Sequence, residues 1–182
     1  MSLISTPATK ADAPEASQPL LDGVEKMLGS IPNMFRIISN SPQALEGYLG
    51  LNSALAKGKL PAATRERIAL AVAQRNDCGY CLAAHTYLGT HLAKLDAAEI
   101  TANRKGHSND AKADAAVRFA AQIVEQRGAV GPDAVKAVRD AGYSDAEIVE
   151  IVAHVALNTL TNYVNEVLGT EIDFPRVDRL AA

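Results

Sequence analysis

The chain has 182 residues, a formal net charge of -3 and a pI near 5.8; 48% of its residues are hydrophobic and 21% charged. This is the composition of one soluble globular domain, and the mild acidity excludes a basic nucleic-acid footprint. No apolar run approaches the ~18 residues of a membrane span, and the N-terminus has no basic stretch followed by an apolar one, so a cytoplasmic protein without membrane contact is expected.

There are 33 alanines, three Phe, five Tyr and no Trp. Alanine favours helix while aromatic and β-branched residues favour strand, so the expected class is all-α. Residues 1–18 are rich in Ser, Thr, Pro and Ala without a helical period and read as a flexible arm. The remainder, 19–182, reads as one helical domain. Pro19 to Ser30 carries Leu20, Val24, Met27 and Leu28 at helical spacing, and Asn33 can cap a short helix holding Met34, Phe35, Ile37 and Ile38. Ser41-Pro42 is an N-cap followed by proline at the first helical position, opening a helix that ends near Gly58. Leu60-Pro61 starts another to about Gln74. Asn76-Asp77 breaks the chain with capping chemistry, and the next helix carries Cys78 to about Leu92.

Asp96 with Glu99 suggests a capping box in an Asp variant, and Asn109 or Asp110 opens a helix to about Arg127. Gly128 to Pro132 is a turn, and Asp133 to Ala141 a short helix closed by Gly142. Ser144 and Glu147 form a capping box ahead of Ile148, Ile151, Val152, Val155 and Leu157, on a helix running to about Leu168 before Gly169. Ile172 to Pro175 reads as extended.

Chemistry concentrates between Glu66 and His85. On one helix Cys78, Cys81 and His85 fall within about 60° of arc, so all three face one side. With Asp77 at the boundary, both thiols lie in the first turn, where unpaired N–H groups and the positive end of the dipole favour thiolate. A Cys-x-x-Cys pair there suits dithiol–disulfide chemistry. His85, one turn beyond Cys81, would be the base that takes its proton, and Glu66 on the preceding helix would fold back to orient the imidazole. Two other readings stay open: buried structural cysteines, or a zinc site of Cys78, Cys81, His85 and Glu66. Cys-Gly-Tyr-Cys alone suggests thioredoxin, but the flanking alanine-rich helices lack the required βαβ context.

His91 and His107 read as surface residues, and Arg65, Arg67 and Arg75 as solvated or paired. His154, Asn158, Asn162 and Asn165, on the apolar last helix, read as packing or subunit contacts that could also line the site. No Rossmann or P-loop glycine pattern occurs, so no nicotinamide, flavin or nucleotide cofactor is expected. Small residues on several apolar helix faces favour self-assembly.

Glu, eleven residues, Cys-x-x-Cys, three residues and His, at Glu66, Cys78, Cys81 and His85, resembles the alkylhydroperoxidase D-like, carboxymuconolactone decarboxylase superfamily. Similarity extends over Ile31 to Leu92 and Asn158 to Pro175, and Asn158-Thr-Leu-Thr-Asn162 with Asp173-Phe174-Pro175 looks like its peroxidase-related branch. The resemblance implies an all-helical subunit in a homo-oligomer, commonly a trimer or hexamer. It also implies that Cys81 attacks a hydroperoxide, Cys78 resolves the sulfenic acid to a disulfide, an external dithiol restores both, and His85 and Glu66 relay protons. Tyr80 departs from the pattern, standing where the best-known member has a second histidine. Two alternatives accompany the peroxidase reading: a lactone decarboxylase or lyase, whose chemistry needs no dithiol, and a non-enzymatic redox-sensing or metal-binding oligomer.

Overall fold

The computed structural model describes residues 2–178 and 180. Among these the chain forms nine α-helices and no strand: α1 Gln18–Leu28, α2 Asn33–Ile38, α3 Pro42–Ala56, α4 Ala62–Arg75, α5 Gly79–His91, α6 Ala97–Arg104, α7 Ala111–Glu125, α8 Gly131–Asp140 and α9 Asp145–Leu168. The all-α expectation holds.

Helix boundaries follow capping chemistry. Ser41 accepts the Ala44 N–H at the head of α3, and Ser144 and Glu147 make the reciprocal box that opens α9. Gly29 and Gly169 close α1 and α9 in the left-handed conformation, with φ of 77° and 61°. Asp96 caps α6 as expected, taking the Glu99 N–H at 2.8 Å. The other half of that box does not form. The Glu99 carboxylate turns inward instead, where Arg67 Nε (2.6 Å), Asn103 Nδ2 (2.9 Å), the Ser108 hydroxyl and the Asn109 N–H (2.8 Å) donate to it. Four donors outweigh one exposed cap.

Helix α4 is the axis of the fold. From Ile68 to Ala73 every side chain is buried, the signature of a helix surrounded on all sides, and α5, α6, α7 and α9 pack around it. Ile68, Leu70 and Val72 are fully buried; each contributes about 1.5–3 kcal/mol, and Leu70→Ala would cost about 2–5 kcal/mol. The alanines between them let the neighbouring helices approach closely. One apolar cluster joins α1, α2 and α5 with Leu45 and Ala73, and a second joins α4, α7 and α9.

Within residues 1–18, two 3₁₀ turns at Lys10–Asp12 and Glu15–Ser17 lie beside α1. Ala13 and Ser17 are buried, the Ser17 hydroxyl donates to the Ser39 carbonyl at 2.7 Å, and the Leu3 N–H donates to the Leu168 carbonyl at 2.8 Å. Among the described residues no helix is long and apolar enough to cross a membrane.

Candidate active site

Two helices and a tight reversal build the site. Helix α4 ends at Arg75, Asn76 caps it, and Asp77 takes a left-handed φ of 51°, a conformation that Asp tolerates better than most residues. The chain thereby doubles back, and α5 packs along α4. Glu66 and His85 stand ten and nine residues either side of Asn76, so the hairpin brings them level. The His85 Nδ1 meets Glu66 Oε2 at 2.8 Å.

The reversal also corrects one detail of the sequence reading. Asp77 does not cap α5; Cys78 does, its Sγ accepting the Cys81 N–H at 3.3 Å. The left-handed residue at 77 points the chain so that position 78 is the last extended one, and a thiol takes the place of the usual oxygen. Both cysteines are free thiols, with Cys78 fully buried and Cys81 nearly so.

Electrostatics separate the two. Cys81 is pulled down to about 7, foremost by the hydrogen bond from the Cys78 thiol; desolvation opposes this, while the charge of His85 and the side chains of Asn165 and Asn162 assist. The same hydrogen bond, together with burial, pushes Cys78 far up. The proton of the pair therefore sits on Cys78. Burial works against the His85 imidazolium, but the charge and hydrogen bond of Glu66 and the charge of Cys81 outweigh it and raise the His85 pKa. No direct hydrogen bond joins His85 to Cys81 among the described residues, so exchange of a proton between them would need a bridging group.

Asn165 Nδ2 on α9 donates to Cys81 Sγ at 3.3 Å, and the Asn162 Oδ1 accepts from Asn76 Nδ2 at 2.8 Å. Both asparagines are buried. Sequence reasoning left Asn165 among packing contacts. The usable signal was Asn158, Asn162 and Asn165 on one face of an apolar helix, where burial demands partners. Asn158 and His154 line the cavity; Asn162 does not.

A cavity of about 730 Å³ opens onto Cys81, His85 and Glu66, but not onto Cys78. Its walls are largely apolar and aromatic, among them Met34, Phe35, Leu88 and Phe174. Tyr80, where the resemblance leads to the expectation of a second histidine, is already engaged. Its hydroxyl donates to Asp173 Oδ1 at 2.8 Å and accepts the Met34 N–H at 3.2 Å, while Asp173 Oδ2 accepts the Asn33 N–H at 2.7 Å. The extended segment around Phe174 is thus strapped over one side of the cavity, with Phe174 edge-on to Tyr80.

Of the remaining residues singled out in the sequence, His91 is exposed and stacked on Tyr87, with His91 Nδ1 2.8 Å from the Tyr87 carbonyl. Arg67 pairs with Glu99, Arg75 binds Glu125 and two carbonyls, and His107 sits half-buried in its loop. Among the described residues no three His, Cys, Asp or Glu side chains stand where they could hold a metal ion.

Residues 42–126, which contain Glu66, Cys78, Cys81 and His85, match the carboxymuconolactone decarboxylase family. The match spans just under half of the chain, and the chain as a whole has the all-α fold of alkylhydroperoxidase D-like proteins. Its fold is similar to that of a peroxidase-related protein with an alkylhydroperoxidase AhpD core from Ralstonia eutropha JMP134 (TM-score 0.84, 22% identity, covering 94% of this chain and 92% of that one). It is also similar to a peroxidase-related protein from Silicibacter sp. TM1040 (0.81, 21%, 93% and 91%). A third likeness is to a cysteine-to-alanine variant of the debrominase Bmp8 in complex with 2,3,4-tribromopyrrole (0.79, 21%, 95% and 94%). At these identities the likeness is one of fold. No curated protein sequence matches the chain significantly.

Proposed function

We propose that the protein is a thiol-dependent peroxidase that reduces organic hydroperoxides or hydrogen peroxide through a Cys78–Cys81 redox disulfide, with His85 and Glu66 as its proton relay. The observation that carries the reading is the placement of the low-pKa thiol: Cys81 faces the cavity beside the His85–Glu66 pair, and its protonated partner Cys78 lies behind it. The Cys81 thiolate attacks the terminal peroxide oxygen, the O–O bond breaks, and His85 gives a proton to the departing alkoxide, leaving an alcohol and a Cys81 sulfenic acid. Once Cys81 is no longer a thiolate, the chief cause of the raised Cys78 pKa is gone. Cys78 then loses its proton and attacks the sulfenic sulfur; hydroxide leaves as water and the disulfide forms. An external dithiol returns both thiols, a cycle suited to a reducing cytoplasm.

The lactone-lyase alternative gives the thiols no task, and the sensing alternative gives the 730 Å³ cavity none. A different second reading has one observation behind it, the debrominase of like fold. The Cys81 thiolate would then take the halogen from carbon, His85 would protonate the carbon left with the electron pair, and Cys78 would displace halide from the sulfur as the disulfide forms.

Assembly belongs to the same proposal. Helix α9 exposes Val149, Val152, Ala156, Leu160, Tyr163 and Val167 along one narrow stripe, and burying it between copies in a trimer or hexamer would remove it from water.

Stoichiometric addition of cumene hydroperoxide to the reduced protein tests the chemistry. Loss of two thiols and of about two hydrogens in mass is the expected result. Persistence of both thiols under excess peroxide overturns it.

A further inference from the structure

The cavity onto which Cys81 opens has two further polar lining residues that the peroxidase chemistry leaves unused. Arg65, half-buried on α4, lines it one residue before Glu66. Its guanidinium has five donors, yet the Leu55 carbonyl, 3.3 Å from Nη1, is its hydrogen-bond partner among the described residues, and none of their carboxylates pairs with it. Facing it from α9 is His154, only 5% exposed, whose Nε2 is buried without a hydrogen-bond partner. A buried polar atom with no partner calls for an explanation, and this one belongs to a residue that lines the cavity.

The neighbouring acids are engaged elsewhere. Glu66 is committed to His85 at 2.8 Å, and Glu150 accepts the Lys59 N–H (3.0 and 2.8 Å) and the Leu60 N–H (3.1 Å). Burial, then the charge of Arg65, hold His154 down at about 4 against the opposing charges of Glu150 and Glu66, so the imidazole is neutral and has one N–H to offer. A fixed cation and a neutral donor therefore line one largely apolar chamber together with the Cys81 thiolate.

We infer that Arg65 and His154 bind the carboxylate of the substrate, so that the molecule reduced at Cys81 is an amphiphilic organic acid hydroperoxide. This rests on the thiol-peroxidase reading for the reaction, but not for the binding. A carboxylate accepts two parallel N–H bonds from a guanidinium, and a third from the imidazole would satisfy the orphaned nitrogen. A volume of about 730 Å³ lies in the range that holds ligands of drug size, far more than hydrogen peroxide requires. The apolar body of the acid would lie against Met34, Phe35 and Leu88, which line the space.

Binding of octanoate and of octanol to the reduced protein, measured by calorimetry, tests the carboxylate site without any turnover. Octanoate should bind at least about tenfold more tightly, the worth of one charge-assisted hydrogen bond, and Arg65→Met should erase the difference while Arg65→Lys keeps part of it. Kinetics then compare linoleic acid hydroperoxide with its methyl ester. The acid should have the lower KM, and the acid-to-ester ratio of kcat/KM should fall about tenfold or more in Arg65→Met and less in His154→Leu. Equal binding of octanoate and octanol to the unaltered protein overturns the inference. If octanoate is preferred but no hydroperoxide, cumene hydroperoxide included, is reduced, the carboxylate site stands and the peroxidase reading falls.

Discussion

Asn165 and Cys81 are joined by a 3.3 Å hydrogen bond from the amide to the sulfur, across 84 residues of chain. The donor comes from α9 and the acceptor from the first turn of α5. An amide N–H aimed at sulfur stabilises the thiolate over the thiol. Asn165→Ala should therefore move the midpoint of Cys81 alkylation by iodoacetamide upward from about 7, and slow the reaction at pH 7 by about tenfold, the worth of one bond to a charged group. An unchanged midpoint would show that the amide only packs.

The Cys78 thiol is the foremost cause of the low Cys81 pKa. A depressed acid is ionised above its pKa and protonated below it, so peroxide reduction should level off above about pH 7. It should fall roughly tenfold per pH unit beneath that. Cys78→Ala removes the donor and should shift the profile upward. Cys78→Ser keeps a hydroxyl donor and should hold the midpoint nearer 7 while trapping the sulfenic acid, which dimedone would label. Identical profiles for the two variants would assign the low pKa to His85 instead.

Glu99 tests the scaffold apart from the chemistry. Burial alone would raise its pKa, but the Ser108 and Asn103 side chains, the Asn109 N–H and Arg67 hold it down to about 2. A carboxyl depressed in the folded state stabilises the protein above its unfolded value near 4.5, and that stability is lost as pH falls toward 2. Glu99→Gln should cost about 3 kcal/mol at pH 7 in urea unfolding and flatten the acid limb between pH 4.5 and 2. Equal stability of the two proteins across that range would refute the account.

The helix start signals were open to sequence reasoning because caps are local: Ser144 with Glu147, Ser41 with Pro42 and Asp96 all lie within three residues of what they bind. The Glu66–His85 contact was within reach as well, since a tight turn at Asn76-Asp77 obliges flanking residues to pair by height. What stayed hidden depends on distant partners. Tyr80 reads only as a departure from a histidine position until its hydroxyl is found on Asp173, 93 residues on. Asn165 reads as packing until α9 is laid against α5. The inward turn of Glu99 required knowing that α4 would present Arg67 to it. Cys78 as its own cap turned on a single left-handed residue, a choice that spacing does not reveal.

The apolar stripe on α9 predicts assembly through that helix. Light scattering at micromolar concentration should give a multiple of 19.2 kDa, and Leu160→Glu with Tyr163→Glu should lower it toward the single-chain mass while leaving the helical circular dichroism intact. A monomeric mass for the unaltered protein would refute the assembly.

Tyr80 offers a further check. Tyr80→Phe frees Asp173 and the Met34 N–H from their shared hydroxyl, and should lower stability by about 1–3 kcal/mol. It should also speed alkylation of Cys81 by bulky reagents more than by small ones. Equal acceleration for both would show that the segment around Phe174 does not shield the cavity.

The strap has a consequence for the order of synthesis. Cys78 and Cys81 leave the ribosome well before Asn165, Asp173 and Phe174 are made. The amide that steadies the thiolate and the ring that roofs the chamber thus arrive last. Until then Cys81 has Cys78, His85 and Glu66 near it on the hairpin, but neither the asparagine amides of α9 nor the roof of its chamber. The last share of the thiolate's stabilisation and the cover over its cavity are therefore completed only when the chain has been made past Phe174.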